Sequence, residues 1–304
     1  MRPSPPTSRA APPPHGTARV ALSATLACVL EVSAEKVGNV TPTRGFADLC
    51  FADFVRSALV LGPAVGQARP GRVGWAIWKA VEASRRVTTS NAHLGVALLF
   101  APIAAAALGP ERGRRGDGPA GLRSRLVGVL RGLGVDDARW AYRAIRAVRP
   151  GGLGASPELP EADVSRVPTV TLRQAMALAA ERDSIATEYA RDYAFTFTIV
   201  LPALRRAMKR ELGALEAITQ AHLELLAAVP DTLIARKAGP LLADAVSARA
   251  RRVVELGGWY SRSGRAAATR LDRWLRRDRN RLNPGTSADL VAAALFVWLL
   301  ARGQ

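Results

Sequence analysis

The punctuation of the chain constrains its fold most. From about residue 18 onward, apolar residues recur at helical spacing, stretch after stretch, with Gly, Pro and Asn marking the breaks. No region sustains the alternation of a half-buried strand, and no repeat of fixed period appears. Such a pattern can bury its apolar stripes only by packing helix on helix. It predicts an all-α fold, a single multi-helix globular domain over 18–304. Residues 1–17, rich in Pro, Ser and Ala with Pro12-Pro13-Pro14, read as a disordered tail.

The 304 residues suffice for one large core, and the abundance of Ala, Leu and Val favours helices. Arg19 to Ala34 imitates a signal peptide, since an apolar run follows a positive charge. Ser23, Thr25 and Glu31 make it an amphipathic first helix instead. A second helix is expected to start at Gly45-Phe46-Ala47-Asp48, with Gly62 to Gly74 as a connection. Further helices are expected over 75–87, 96–108, 122–133, 136–148, 171–193, 195–208, 212–228 and 241–256, and the stretch 231–239 opens with Asp231 as an N-cap candidate and ends at Gly239-Pro240. The run 96–108 is too short for a membrane span and contains Pro102, and nothing else approaches that length; no membrane partner is expected. Cys28 and Cys50 sit in apolar contexts without C-x-x-C spacing, which predicts buried thiols in a reducing, cytoplasmic compartment.

The net charge of +18, carried mostly by Arg, is spread along the chain. Such a balance suits nucleic acid, an anionic surface or a polyphosphate ligand. Arg262 to Arg281 reads as a solvated amphipathic face with Trp274 packed inward.

Polar and glycine residues cluster at the expected helix ends. The last cluster, Asn283-Pro-Gly-Thr-Ser-Ala-Asp289-Leu, is a turn followed by a helix start, with Thr286 or Ser287 as the cap. Thr286-x-x-Asp289 has the spacing of a capping box. A helix start also offers unpaired N–H groups and a positive dipole end to a phosphate. A plain bundle needs caps. It does not need Lys-x-Gly-Asn after a Glu, or Asn-x-His-x-Gly leading into a buried helix.

In order, Glu31…Lys36-Val-Gly38-Asn39-Val, Gly45-Phe-Ala-Asp48, Asn91-Ala-His93-Leu-Gly95, Asp231-Thr-Leu-Ile-Ala-Arg236-Lys237-Ala-Gly239 and Asn283 to Leu290 resemble the ATP:dephospho-CoA triphosphoribosyltransferase family. The resemblance covers roughly residues 20 to 300. It implies an all-α enzyme that moves the 5-triphosphoribosyl group of ATP to the 2′-hydroxyl of 3′-dephospho-CoA and releases adenine. Ala47 stands near a position where the family commonly has His, and Val37 replaces a common Pro; both departures bear on the acceptor.

That chemistry needs cations for the triphosphate and a proton acceptor for the hydroxyl, and the polar helix ends are expected to converge on one nucleotide cleft to supply them. Asp48, His93 and Asp289 are the expected catalytic residues, and Glu31, Asp48 and Asp289 the expected Mg²⁺ ligands. Lys36, Gly38, Asn39, Asn91, Arg236, Lys237, Gly285, Thr286 and Ser287 are expected to bind nucleotide. Two alternatives stand: the same fold acting on a different coenzyme precursor, or a nucleic-acid-binding protein using the Arg262–Arg281 face and the Gly109–Gly121 loop.

Overall fold

The computed structural model describes residues 15–90, 92–109, 118–148, 150, 163–210 and 212–302. The expected tail lies outside them up to residue 14, and residues 15–17 already form the first turn of a helix. The described residues fold as fourteen α-helices with short 3₁₀ and π segments: α1 His15–Ser33, α2 Phe51–Val65, α3 Val73–Val87, α4 Leu94–Leu108, α5 Gly118–Arg131, α6 Val135–Val148, α7 Leu172–Ala179, α8 Ser184–Ala190, α9 Leu201–Lys209, α10 Ala214–Ala228, α11 Thr232–Ala238, α12 Pro240–Glu255, α13 Arg262–Leu275 and α14 Gly285–Arg302. The all-α expectation is met.

Helices α4 and α14 form the centre. Helix α4 is buried almost all round and α14 over most of its length, and Phe100 stacks on Phe296 with ring centroids 4.5 Å apart. Pro102 sits inside α4 and removes the N–H that would bond the Leu98 carbonyl. The Tyr189 hydroxyl donates to that carbonyl at 2.6 Å, and Tyr193 donates to Leu99 O at 2.9 Å. Asp192 and Tyr193 adopt left-handed backbone, φ 52° and 57°, to bring the second ring in. Contrary to expectation, α1 and α14 do contain 18-residue apolar windows; that of α14 is 61% buried within the core.

The main core draws on α1–α10 and α14, while a second cluster joins α10–α13 with Val37 and Leu282. Helix α10 contributes to both.

Several expected boundaries shift for physical reasons. Residues 45–48 do not start α2; they lie in a tight double turn closed by Thr41–Arg44 and Phe46–Leu49 bridges. Helix α2 runs through Gly62 and Pro63 rather than stopping there. A Cβ on Gly62 would come within 2.0 Å of Thr25 Oγ1, so glycine lets α1 and α2 touch. The expected helix 171–193 breaks at Asp183, which accepts from Ile185 N and Ala186 N and starts α8 afresh. Cys28 is buried as expected, but Cys50 is exposed because it precedes α2 at the end of the double turn.

Candidate functional site

Five chain segments end around one cavity of about 850 Å³. The tail of α1 brings Glu31 and Asn39. The double turn brings Phe46 and Asp48, and the start of α4 brings His93 and Gly95. Helix α11 adds Arg236 and Lys237, and the start of α14 adds Gly285, Thr286 and Asp289. Of the expected site residues, Lys36, Gly38 and Ser287 do not line the cavity, and Asn91 lies outside the described residues.

Those three have other work. The Lys36 ammonium is buried and meets Glu31 Oε1 at 3.0 Å while also donating to the Glu31 and Ala34 carbonyls. It is an internal cation, out of reach of a phosphate. Burial raises the Glu31 carboxyl, and Lys36 opposes that rise. Gly38 has φ +70°, and its N–H is given to Asp272 Oδ1 at 2.8 Å. A Cβ there would meet Leu275 and Pro284 at 2.8 and 2.9 Å, so glycine is needed for the turn itself. Asn39 lines the cavity and reaches His222 Nε2 at 3.2 Å and the Pro284 carbonyl at 3.5 Å, tying the end of α1 to the Asn-Pro-Gly turn.

The expected cap of α14 is also corrected. Thr286 and Ser287 are not its caps. Asp231 is: its Oδ2 accepts from Ser287 N at 2.7 Å and from Ser287 Oγ at 2.8 Å. Its Oδ1 accepts from Leu233 N and Ile234 N at the start of α11. One carboxylate therefore caps two helices and fixes Arg236 and Lys237 relative to Asp289. Burial raises its pKa, and these four hydrogen bonds oppose the rise.

Freed from capping, Asp289 turns across to α4. A Cβ on Gly95 would come within 2.0 Å of Asp289 Oδ2. Burial pushes this carboxyl well above the ordinary range. The carboxylates of Glu31, Asp231 and Asp183 push the same way, against Arg236. The cleft is thus crowded with acid oxygens that a cation would relieve.

Arg236 pairs with Asp183 Oδ2. The half-buried Lys237 has its pKa lowered, first by burial; Asp48 and Asp231 counter this. Asp48 lies at the exposed rim, where its carbonyl accepts from Ser90 Oγ and its Oδ1 sits 3.5 Å from Asn280 Nδ2. His93 is buried, and burial alone pulls its pKa down to about 3, so the imidazole is neutral.

Three buried side-chain atoms in the lining have no hydrogen-bond partner: His93 Nε2, Arg236 Nε and Asn283 Oδ1. Buried polar atoms normally find partners. Three orphans around one cavity are what a polar ligand would satisfy. Sequence reasoning missed Asn283, though it opens the Asn-Pro-Gly turn. Arg182 and Asp183 read from the sequence as helix residues that pair with neighbours; Asp183 does pair, with Arg236, and it also lines the cavity. A further part of the lining carries apolar Ile145, Val164, Met176 and Ala179, together with Tyr142 and Arg182. Its apolar residues come from α6, α7 and the segment before α7, where no motif marks them. Among the described residues, no three His, Cys, Asp or Glu side chains are grouped to hold a metal without help from a ligand.

Two curated relatives from Pseudomonas syringae, pathovars syringae and tomato, carry the name 2-(5''-triphosphoribosyl)-3'-dephosphocoenzyme-A synthase. They are 35% and 34% identical over 97 residues, 32% of this chain and 33% of theirs. The chain thus matches about a third of the length of those relatives. A crystal structure from Archaeoglobus fulgidus, titled a triphosphoribosyl-dephospho-CoA synthase, superposes with a TM-score of 0.61. It shares 23% identity and covers 81% of this chain and 98% of that one, which speaks for a common fold. The family model described as ATP:dephospho-CoA triphosphoribosyl transferase matches residues 17–304, nearly the whole sequence, and the chain belongs to that family.

Proposed function

We propose that the chain transfers the 5-triphosphoribosyl group of ATP to the 2′-hydroxyl of 3′-dephospho-CoA or a related coenzyme precursor, releasing adenine. The observation that carries this reading is the set of orphaned atoms, His93 Nε2, Arg236 Nε and Asn283 Oδ1, around a cavity large enough for a nucleotide. They supply acceptors and a guanidinium donor, a mixture suited to ribose hydroxyls and phosphate oxygens.

Arg236 and Lys237 would bind the triphosphate. Lys237 lies partly out of water, and a phosphate beside it favours the charged ammonium. His93, neutral and with an open lone pair, would take the proton of the attacking hydroxyl. The apolar wall of Ile145, Val164 and Met176 offers a surface for the non-phosphate part of the acceptor.

Mg²⁺ fits the donor set. Asp289, with Glu31 beside it and Asp48 at the rim, offers hard oxygens, and Mg²⁺ commonly needs only one or two carboxylates plus substrate phosphates. Bound there, it would neutralise triphosphate charge.

The test is incubation with ATP, Mg²⁺ and 3′-dephospho-CoA, with adenine followed by chromatography. Adenine formed only when the acceptor is present supports the full reading. Adenine formed with another coenzyme precursor instead keeps the reaction and changes the acceptor. Failure to bind ATP at all overturns the proposal.

A further inference from the structure

His93 is not alone. Its Nδ1 lies 2.8 Å from Ser57 Oγ on α2. Ser57 Oγ lies 3.0 Å from Ser84 Oγ on α3, and Ser84 Oγ lies 2.9 Å from the Ala80 carbonyl. The direction of this chain follows from its last member. A carbonyl can only accept, so Ser84 gives its one hydroxyl proton to Ala80. Ser57 must then give its own proton to Ser84. The Ser57 oxygen is left to accept, and Nδ1 of His93 must carry the hydrogen. A neutral imidazole has one N–H, so Nε2 holds a bare lone pair, and Nε2 is the orphaned atom.

Ser57 and Ser84 come from α2 and α3, His93 directly precedes α4, and Ser57 is fully buried. Phe54, one turn before Ser57 on α2, meets the imidazole edge-on with centroids 5.1 Å apart. Packing of α2, α3 and the start of α4 therefore fixes both the tilt of the ring and its tautomer. A hydroxyl adds nothing to apolar packing at residue 57, where α2 otherwise buries Ala58 and Leu61.

We propose that Ser57 and Ser84 are positioning residues that hold His93 as the Nδ1–H tautomer, so that Nε2 takes the proton of the acceptor hydroxyl. This rests on the transferase reading above. In the step, the hydroxyl oxygen bonds to C1′ of the ribose and the C1′–N9 bond breaks, its electron pair leaving with adenine. The hydroxyl proton passes to Nε2, giving an imidazolium that keeps its Nδ1–H on Ser57. The leaving adenine takes a proton from water, and His93 returns its own to solvent. The triphosphate nearby favours the transient positive charge on the ring.

The first measurement needs no substrate. Long-range ¹H–¹⁵N correlation of ¹⁵N-histidine protein at neutral pH, with His93→Gln to identify the signal, should show Nδ1 protonated and Nε2 bare. The opposite tautomer overturns the proposal. Ser57→Ala and Ser84→Ala should each shift the ring toward the Nε2–H form. In each, kcat for adenine release should fall about tenfold or more with KM for ATP unchanged, within the range of general-base effects. Loss of stability with tautomer and kcat unchanged would make Ser57 a packing residue only, against the proposal. An intact Nδ1–H tautomer in a wild-type protein that releases no adenine would keep the tautomer relay and remove the transferase reading.

Discussion

At the scale of single residues, Asp289 decides most. Its carboxyl keeps a proton longer in the folded protein than in the unfolded chain, because burial and three neighbouring carboxylates oppose its charge. The sign follows. The folded state binds this proton more tightly, so stability is full below the unfolded carboxylate range near pH 4 and is lost as pH rises toward the folded pKa. Asp289→Asn removes the charge. We expect its thermal midpoint to exceed that of the wild type, with a gap that widens as pH rises from about 4, by at most about 1.4 kcal/mol per pH unit. Adenine release should fall at least about 100-fold. Thermal melts from pH 4 to 8 check the first part, and a midpoint below wild type throughout would count against it. Gly95→Ala should act on the same carboxylate. The added methyl would overlap Asp289 Oδ2 and press on Ile185, so about 1–3 kcal/mol of stability and most of the turnover should go.

At the scale of elements, Asp231 is the hinge between α11 and α14. Its removal leaves two helix starts and a buried serine without their acceptor. Asp231→Ala should cost about 2–4 kcal/mol in urea unfolding, roughly two caps with a burial penalty. A cost below about 1 kcal/mol would show that water replaces it. The same element shows where sequence reasoning stops. Asp231 as the cap of its own helix was legible, since Asp-Thr-Leu-Ile is a local signal. Its second role spans 56 positions of chain, and no local pattern reports that. Thr286 and Ser287 looked like caps because their type and spacing were right; a carboxylate from another helix took the work. Lys36 misled in a similar way. A lysine beside a glycine suggested a phosphate contact, yet its partner was Glu31, one turn back across the end of α1. Tyr189 is the opposite case: Pro102 advertises a missing N–H, but only the fold shows which hydroxyl fills the gap. Tyr189→Phe should cost about 1–3 kcal/mol by leaving the Leu98 carbonyl unpaired, measured by denaturant unfolding.

At the scale of the whole molecule, the cavity is walled by helices that root in both hydrophobic clusters. Helices α1, α4 and α14 bring Glu31, His93 and Asp289 from the main core. Helix α11 brings Arg236 and Lys237, and its Ile234 anchors in the second cluster. A nucleotide in the cavity would contact helices rooted in each cluster. ATP with Mg²⁺ at about 100 times its Kd should therefore raise one cooperative melting transition by about 2.7 kcal/mol, and a split transition with only one shifted half would contradict that coupling. The basic charge also reads differently at this scale. Arg249 lies over Trp274 at 4.1 Å, and Arg276 pairs with Asp272 at 2.8 Å, so part of the Arg262–Arg281 region serves the fold. Fold class and the five polar clusters were legible because helical period and helix ends are local. Their convergence on one cleft was expected because the resemblance joins them in one site, and the cavity bears it out; the apolar part of the lining depends on long-range packing that no local pattern reports. The measurement that bears most directly on the whole account is single-turnover adenine release from ATP with Mg²⁺ and 3′-dephospho-CoA, run in parallel on wild type and Asp289→Asn. One adenine per active chain in the wild type, and almost none from a folded Asp289→Asn protein, is the predicted result. Equal adenine release from both would contradict it.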